Sequence, residues 1–188
     1  MLVLASASPR RQELLRNAEI SFTVHPANIP EMLLPGESPK TYAERLAREK
    51  AEAVFRLDAD KCVLGADTIV LVDDEVLGKP RDAADAARML RLLSGRSHRV
   101  ITGVCLLGLG FVDVRSETTT VEMQELHDDE IAAYVASGEP MDKAGAYAIQ
   151  GWASRWISKI EGDYFNVVGL PVSLVYRMLG EHGALVFG

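Results

Sequence analysis

The sequence predicts a mixed α/β fold on three observations. Short apolar runs with the pattern of strands occur at residues 2–5, 22–25 and 62–72. Helical patterns that begin at Pro9 and Lys40 alternate with these runs, whereas two long strand-like runs between residues 96 and 125 are typical of an antiparallel pair. At 188 residues the chain is long enough for one well-packed core, so we predict a single domain over residues 1–188.

The first turn of the chain has the composition of a phosphate-binding site. After the first apolar run, Pro9 suits the first position of a helix, and Ser8 can cap the free backbone N–H groups there. A helix start favours bound anions, and the guanidinium groups of Arg10 and Arg11 suit phosphate oxygens. The alternative is a capped surface helix whose arginines contact only water.

The composition, 48% hydrophobic and 25% charged residues, is that of an ordinary globular protein. A formal net charge of -7 argues against non-specific binding to nucleic acid. No run approaches the ~20 apolar residues of a membrane span, and no signal-peptide pattern is present, so we expect a cytoplasmic protein that binds no membrane. Cys62 and Cys105 lie far apart in strand-like runs, which predicts buried thiols, and the histidines lack zinc-site spacing.

For three charged residues, a functional role competes with a structural one. Glu31 lies in a long loop, residues 26–39, where it is either functional or simply solvated. Lys50 lies on the apolar stripe of the helix predicted over residues 40–57, and it either extends to solvent or meets an anion. Asp67 interrupts an apolar strand at an expected bend, and a buried carboxylate needs hydrogen bonds, a cation or a metal beside it. We favour a functional carboxylate over a structural ion pair.

The remaining elements are a hairpin turn at residues 73–75, a helix over 83–93 capped by Asp82, a helix from Asp128 that Gly138 ends, a loop over 162–169, and a last helix from Pro171 to about Gly180.

Two polar residues that are candidates for function lie in turns. Lys79 follows the hairpin and is either solvated or functional. Gln150 precedes a glycine, where its amide either reads a base or is an ordinary loop glutamine.

A series of short motifs runs along the chain: Ala5–Leu15 (ASASPRRQELL), Lys50–Ala51, Gly65–Val70 (GADTIV), Leu77–Pro80 (LGKP), Ser94–Arg96 (SGR), His98–Val104 (HRVITGV), Asp142–Gly151 (DKAGAYAIQG) and Val167–Pro171 (VVGLP). In this set and order they resemble the Maf, or septum-formation-inhibitor-like, nucleoside triphosphate pyrophosphatases over nearly the whole chain. The resemblance implies the mixed-sheet, two-lobed fold shared with inosine triphosphate pyrophosphatases (the Maf/Ham1 fold), with a central cleft. It also implies a homodimer, a divalent metal (Mg²⁺ or Mn²⁺), and hydrolysis of a nucleoside triphosphate to the monophosphate and pyrophosphate.

The same resemblance implies roles for the candidate residues. Asp67 matches the proposed general base for water attack at the α-phosphorus, and the alternative role for it is that of a metal ligand. Glu31 matches an acidic position that helps to hold the metal. The positive pocket for the phosphates would comprise Ser8, Arg10, Arg11, Lys50 and Lys79.

The resemblance extends to one branch of the family. Members that act on dTTP and UTP carry Arg, Thr and Gln at three selectivity positions, which Arg10, Thr68 and Gln150 match. The sister branch, which acts on 7-methyl-GTP, tends to have an aromatic residue, Gln and Glu there. Trp152 and Trp156 depart from the family pattern. Three roles are open for their rings: stacking on a substrate, covering the loop, or facing a dimer partner.

The sequence therefore predicts a metal-dependent pyrophosphatase for dTTP, UTP and modified pyrimidine nucleotides, which removes non-standard nucleotides before their incorporation. The alternatives are a 7-methyl-GTP pyrophosphatase and a nucleotide-binding regulator of cell division. A P-loop NTPase is disfavoured, because the chain lacks the required glycine-rich Gly-Lys-Ser/Thr motif.

Overall fold

The computed structural model describes residues 1–57 and 60–185. The chain divides into two compact units. The first unit comprises Met1–Asp67, Thr102–Glu117 and Gly169–Gly188, and the second comprises Thr68–Ile101 and Thr118–Val168. The assignment of residues 1–188 to a single domain stays a prediction.

The strands are β1 (Leu2–Leu4), β2 (Phe22–Val24), β3 (Cys62–Val72), β4 (Glu75–Leu77), β5 (Ser97–Gly108), β6 (Phe111–Met123) and β7 (Ile157–Glu161). Within the described residues they form a seven-stranded sheet in the order β2-β1-β3-β5-β6-β7, with β4 paired to β3. β1 is parallel to β2 and β3, whereas β4 is antiparallel to β3 and β7 is antiparallel to β6. The sheet is mixed, and the predicted mixed α/β class is confirmed.

The helices are α1 (Pro9–Asn17), α2 (Pro39–Phe55), α3 (Ala83–Leu93), α4 (Asp128–Ala136), α5 (Tyr164–Val168) and α6 (Val172–Glu181). Local sequence explains where three of them begin. The side chains of Ser8, Ser38 and Asp82 each accept a hydrogen bond from the backbone N–H three residues further on, as N-cap residues do. Among the described helices, none is both long and apolar enough to cross a membrane.

In the first unit, α2 approaches the sheet so closely that two strand positions accept only glycine. A Cβ added to Gly65 of β3 would lie 2.1 Å from the carbonyl oxygen of Ala47, and one added to Gly103 of β5 would lie 2.2 Å from that of Ala43. The helix backbone therefore rests directly on the two strands. The apolar stripe predicted for this helix is buried, namely Ala43, Leu46, Ala47, Ala51 and Val54.

Two segments differ from the sequence-based expectation. The loop expected over residues 162–169 contains α5, which starts where the Asp163 carboxylate accepts hydrogen bonds from the backbone N–H groups of Phe165 and Asn166. β7 was not predicted, and it forms by pairing with residues 120–123 of β6. Both elements are only five residues long, too short for a clear periodicity.

The environments of three further residues refine the expectations. The expected bend at Asp67 does not occur, because this residue lies inside the continuous strand β3. Cys105 is buried as expected, but Cys62 is only half-buried. Both are free thiols, and burial raises the pKa of Cys62 to about 11 and that of Cys105 to about 12.

We expect Gly65→Ala to lower the free energy of unfolding by about 1–3 kcal/mol, the usual range for overpacking. The new methyl group would meet backbone atoms of Ala47 and Ala51, which cannot rotate away. Gly78→Ala is the control, because a Cβ there meets nothing within 4 Å, and its effect should stay within about 0.5 kcal/mol. Urea unfolding measures both variants, and equal stabilities would contradict the close packing of α2.

Candidate active site

In the first unit, three charged residues that the sequence singles out meet around one ammonium group. The Nζ atom of Lys50 lies 2.6 Å from Oδ1 of Asp67 and 2.6 Å from Oε1 of Glu31. The side chains of Lys50 and Asp67 are each 9% exposed, whereas that of Glu31 is 45% exposed. We call Glu31, Lys50 and Asp67 the charged cluster. It is a buried ion pair with a third, more exposed member.

The periodicities of strand and helix explain this meeting. Side chains two residues apart on a strand point to the same face, so Asp67 faces the same way as Gly65, where α2 rests on β3. Lys50 precedes Ala51, which lies at that contact. Of the two alternatives for Lys50, the structure shows the one in which the lysine meets an anion.

The charged cluster offers a donor set that suits a divalent cation shared with a substrate. Since both carboxylate oxygens lie 2.6 Å from the same nitrogen, they lie within about 5 Å of each other. Mg²⁺ commonly takes one or two protein carboxylates and completes its coordination with water and substrate phosphates. Among the residues that the structure describes, no group of three or more His, Cys, Asp or Glu side chains is arranged to hold a metal by itself.

Tyr42 of α2 belongs to the same neighbourhood, although the sequence analysis did not single it out. It is buried. Burial raises the pKa of its phenol, and the negative charges of Asp67 and Glu31 raise that pKa further. The phenol therefore stays protonated near the two carboxylates. The sequence signal that could have identified Tyr42 is its spacing of about two helical turns from Lys50, which places both residues on the same side of the helix.

Arg45 of α2 holds the loop that carries Glu31. Its Nε and Nη2 atoms donate to the two carboxylate oxygens of Glu37 at 2.7 and 2.8 Å, and Nη2 also donates to the carbonyl oxygen of Met32 at 2.8 Å. The hydrogen bonds to Glu37 are the main reason why the pKa of Arg45 is raised. Because Met32 directly follows Glu31, these contacts fix the chain beside the charged cluster. Nothing in the local sequence distinguishes Arg45 from Arg48, the other arginine of this helix.

Arg11 is bound to the protein itself. It is buried, and it donates from Nε to the carbonyl oxygen of Gly169 at 2.8 Å and from Nη1 to that of Ala66 at 2.8 Å. Burial lowers the pKa of the Arg11 guanidinium, while the negative charge of Asp67 acts in the opposite direction. Since Ala66 directly precedes Asp67, Arg11 also helps to fix the strand that carries the carboxylate.

The other candidates of the first unit lie at the start of α1. The Ser8 hydroxyl accepts a long hydrogen bond of 3.5 Å from the backbone N–H of Arg11, as the sequence predicts for a cap. Arg10 is half-buried on the first turn. The structure thus confirms the strand, turn and helix start that the phosphate-site hypothesis requires.

In the second unit, the candidates lie on a strand and in turns. Thr68 is half-buried in β3, whereas Lys79 is exposed in the turn after β4. The residue before Lys79, Gly78, accepts a hydrogen bond at its carbonyl oxygen from the backbone N–H of Gly145, at 3.0 Å. Gln150 is exposed, near the end of the motif Asp142–Gly151.

A buried pair anchors the segment before Gln150. His98 Nε2 lies 2.7 Å from the Tyr147 hydroxyl, and the two rings meet edge to face with centroids 5.4 Å apart. Burial lowers the pKa of His98 to about 4, so the imidazole is neutral at pH 7. The pair is therefore an uncharged contact between β5 and this segment.

Trp152 and Trp156 both pack edge-on against the ring of Tyr134. The centroid distances are 5.7 Å and 5.1 Å, and the interplanar angles are 87° and 90°. Trp156 is buried and donates from Nε1 to Glu130 at 3.2 Å, whereas Trp152 is 36% exposed. Of the alternatives for these two residues, these contacts support the covering of the loop around Gln150.

Comparisons with known proteins find matches that span almost the full length of this chain. The family model described as "Maf-like protein" matches residues 1–182. The dTTP/UTP pyrophosphatase of Koribacter versatilis (strain Ellin345) is 60% identical over 184 residues, which cover 98% of this chain and 95% of the relative. That of Syntrophomonas wolfei subsp. wolfei (strain DSM 2245B / Goettingen) is 53% identical over 182 residues, 96% of each chain. The solved structure of the Staphylococcus aureus Ham1 protein aligns with 96% of this chain and 98% of its own, at 15% identity and a TM-score of 0.47.

We expect Lys50→Met to lower the free energy of unfolding by about 3 kcal/mol, because the buried Asp67 carboxylate would lose its cation. The double variant with Asp67→Asn should recover most of that loss, since asparagine carries no charge. Denaturant unfolding of the wild type, both single variants and the double variant closes a double-mutant cycle.

Arg48→Met is the matched control for this cycle, because Arg48 lies on α2 in an exposed pair with Glu52. Its loss should be no more than about 0.5 kcal/mol. Strictly additive losses for Lys50→Met and Asp67→Asn would contradict the buried ion pair.

Proposed function

This chain belongs to the Maf-like protein family, and on that premise we propose that it is a nucleoside triphosphate pyrophosphatase that hydrolyses dTTP and UTP to the monophosphate and pyrophosphate. The charged cluster carries the proposal, because it places a buried carboxylate, a lysine and a second, more exposed carboxylate together, and these are groups that can orient a water and stabilise phosphate charge. The relatives at 60% and 53% identity are themselves dTTP/UTP pyrophosphatases, which supports the same substrates here.

In the proposed reaction, Asp67 is the general base. It accepts a proton from a water molecule whose oxygen forms a bond to the α-phosphorus. The bond from the α-phosphorus to the oxygen bridging to the β-phosphorus breaks, and pyrophosphate leaves with the electron pair. Lys50, 2.6 Å from Asp67, orients the carboxylate and stabilises the negative charge that develops on the phosphate oxygens.

Mg²⁺ or Mn²⁺ is the proposed cofactor, and Glu31 and Asp67 would hold it. Both carboxylates contact the same ammonium group, so an ion in the place of that group would meet both of them and would also be open to substrate phosphates. When bound, the ion supplies Lewis-acid stabilisation of phosphate charge. Lys50 offsets one of the two carboxylate charges in the structure, so the three residues together keep one negative charge that favours a cation.

We assign the phosphate groups to Ser8, Arg10, Arg11 and Lys79, with Lys79 as the second catalytic lysine. A chain with a net charge of -7 needs a local concentration of positive charge to hold a triphosphate. The N-terminus of α1 adds backbone N–H groups. Arg11 contributes its charge more than its hydrogen bonds, because its Nε and Nη1 atoms already donate to backbone carbonyls.

Base selectivity is assigned to Arg10, Thr68 and Gln150. An amide offers both a donor and an acceptor, so Gln150 can pair with the carbonyl and N–H edge of uracil or thymine. A site built for such an edge discriminates strongly, because a mismatched base leaves buried polar groups without partners. We further propose a cytoplasmic homodimer that clears non-standard pyrimidine nucleotides.

The experiment that tests this function is product analysis with a panel of nucleoside triphosphates and Mg²⁺ or Mn²⁺. We expect pyrophosphate and monophosphate from dTTP and UTP. Preferential turnover of 7-methyl-GTP would retain the reaction class and overturn the selectivity assignment. Absence of turnover by the folded protein would favour the nucleotide-binding regulator instead.

Asp67→Asn should retain the fold and lose about 10²–10⁴-fold in kcat on dTTP, the usual contribution of a general base. Asp74→Asn is the matched control, since Asp74 is an exposed carboxylate in the turn after the same strand, and its kcat should stay within about twofold of wild type. Steady-state kinetics with saturating metal measures both. A near-normal kcat for Asp67→Asn would remove Asp67 from the role of base.

A further inference from the structure

The turn that carries Gln150 is held at both of its ends. On one side, the backbone N–H of Ala148 donates to the hydroxyl of Tyr134 at 3.2 Å. On the other side, the backbone N–H of Trp152 donates to Oε1 of Glu139 at 3.2 Å. Inside the turn, the N–H of Gly151 donates to the carbonyl oxygen of Ala148 at 3.1 Å. Gln150 itself is exposed, so these neighbours, not its own burial, determine its position.

The two anchors are joined to each other. The Tyr134 hydroxyl donates to Glu139 Oε1 at 2.9 Å, so one carboxylate oxygen accepts from both the phenol and the Trp152 backbone. Burial raises the pKa of Tyr134, so the phenol stays protonated and keeps donating. The Tyr134 side chain cannot easily move, because it is fully buried and two tryptophan rings pack against it at nearly right angles. We call Tyr134 and Glu139 the turn clamp.

Gly151 shows how tightly the turn clamp closes. A Cβ on this residue would lie 2.1 Å from Glu139 Oε1, far inside contact distance. The absence of a side chain at Gly151 allows the Glu139 carboxylate to approach the turn this closely, and a larger residue would displace the end of the Glu139 side chain.

From these contacts we infer that Tyr134 and Glu139 are positioning residues that determine base selectivity through Gln150. This inference rests on the proposed function, in which the Gln150 amide pairs with the base. An exposed glutamine on a free turn has many orientations, and its amide would bind a carbonyl edge and an amino edge with little preference. The turn clamp removes the backbone part of that freedom, and selectivity depends on such preorganisation.

The test compares UTP with CTP, because the two bases differ mainly in the hydrogen-bonding edge that an amide reads. The measured quantity is the ratio of kcat/KM for UTP to kcat/KM for CTP. The variants are Tyr134→Phe, which removes the hydroxyl, and Glu139→Ala, which removes the shared acceptor. Glu139→Gln retains an acceptor oxygen and serves as the conservative rescue. Gln150→Ala gives the reference value for a lost base reader.

We expect the ratio to fall about tenfold in Tyr134→Phe and in Glu139→Ala, the size of one misplaced hydrogen bond. The ratio should stay within about twofold of wild type in Glu139→Gln, because its amide oxygen can accept the same two hydrogen bonds. Tyr176→Phe is the matched control for loss of a phenol, since Tyr176 is 49% exposed on α6, and the ratio should not change. Since Glu139 is only half-buried, its variants give a result even where Tyr134→Phe fails to fold.

Each contrary outcome has a distinct meaning. A wild-type ratio in Glu139→Ala, with a reduced ratio in Gln150→Ala, would overturn the turn clamp and leave the proposed function intact. Equal losses on UTP and CTP would overturn it as well, because they would show a general structural role. A wild-type ratio in Gln150→Ala would remove the base reader and the clamp together. No turnover of either nucleotide by the wild type would overturn the proposed function and, with it, the inference.

Discussion

The contact of the α2 backbone with β3 and β5 is the constraint on which the first unit depends. Gly65 and Gly103 leave no room for a side chain between helix and strand, so the helix backbone packs directly on both strands. The strand alternation then directs Asp67 to the helix side, and Lys50 follows from its place beside Ala51. Two hydrophobic elements packed backbone to backbone thus bring together a carboxylate and an ammonium group that are 17 residues apart in the chain.

Burying this ion pair carries a large desolvation cost, and that cost is relevant to function. Removing an ion from water costs several kcal/mol in a protein interior, and a buried pair recovers this cost only with good geometry. The ion pairs of Lys50 with Asp67 and with Glu31 each offset part of this desolvation cost. Apolar residues of similar volume would stabilise the same contact equally well or better. Charges retained at a packed contact are therefore better explained by chemistry than by stability, which agrees with the proposed base.

Much of the fold could be predicted because its signals are local. Ser8 before Pro9 and Asp82 before a helical pattern are sufficient to define two helix starts, and the apolar run of β3 defines its own ends. β7 could not be found this way, since its sequence, Ile157–Glu161, does not alternate cleanly and its strand geometry comes from pairing with β6. A five-residue helix such as α5 is likewise shorter than the windows in which periodicity can be seen.

The residue types of the charged cluster could be predicted from the sequence, but the pairing of those residues could not. A buried lysine and a buried aspartate each require a counter-charge, which the sequence alone indicates. That they serve each other depends on the register of α2 against β3, a property of tertiary packing. Arg45 shows the same limit, because its role comes from Glu37 and from a backbone carbonyl of the loop, neither of which forms a motif with it. The supporting residues of this site are therefore visible only in the structure.

Glu31 and Asp67 share one ammonium group but differ in environment, and the difference supports separate roles in the proposed reaction. Asp67 is 9% exposed within a strand, so its carboxylate can orient a water without reorganisation. Glu31 is 45% exposed on a loop that Arg45 fixes, and a carboxylate near solvent can exchange Lys50 for an arriving cation at a lower desolvation cost. Asp67 is thus suited to orienting a water molecule, and Glu31 is suited to binding a cation. In the proposed reaction the two carboxylates would have separate roles, as two carboxylates in unlike surroundings have acid and base roles in other hydrolases.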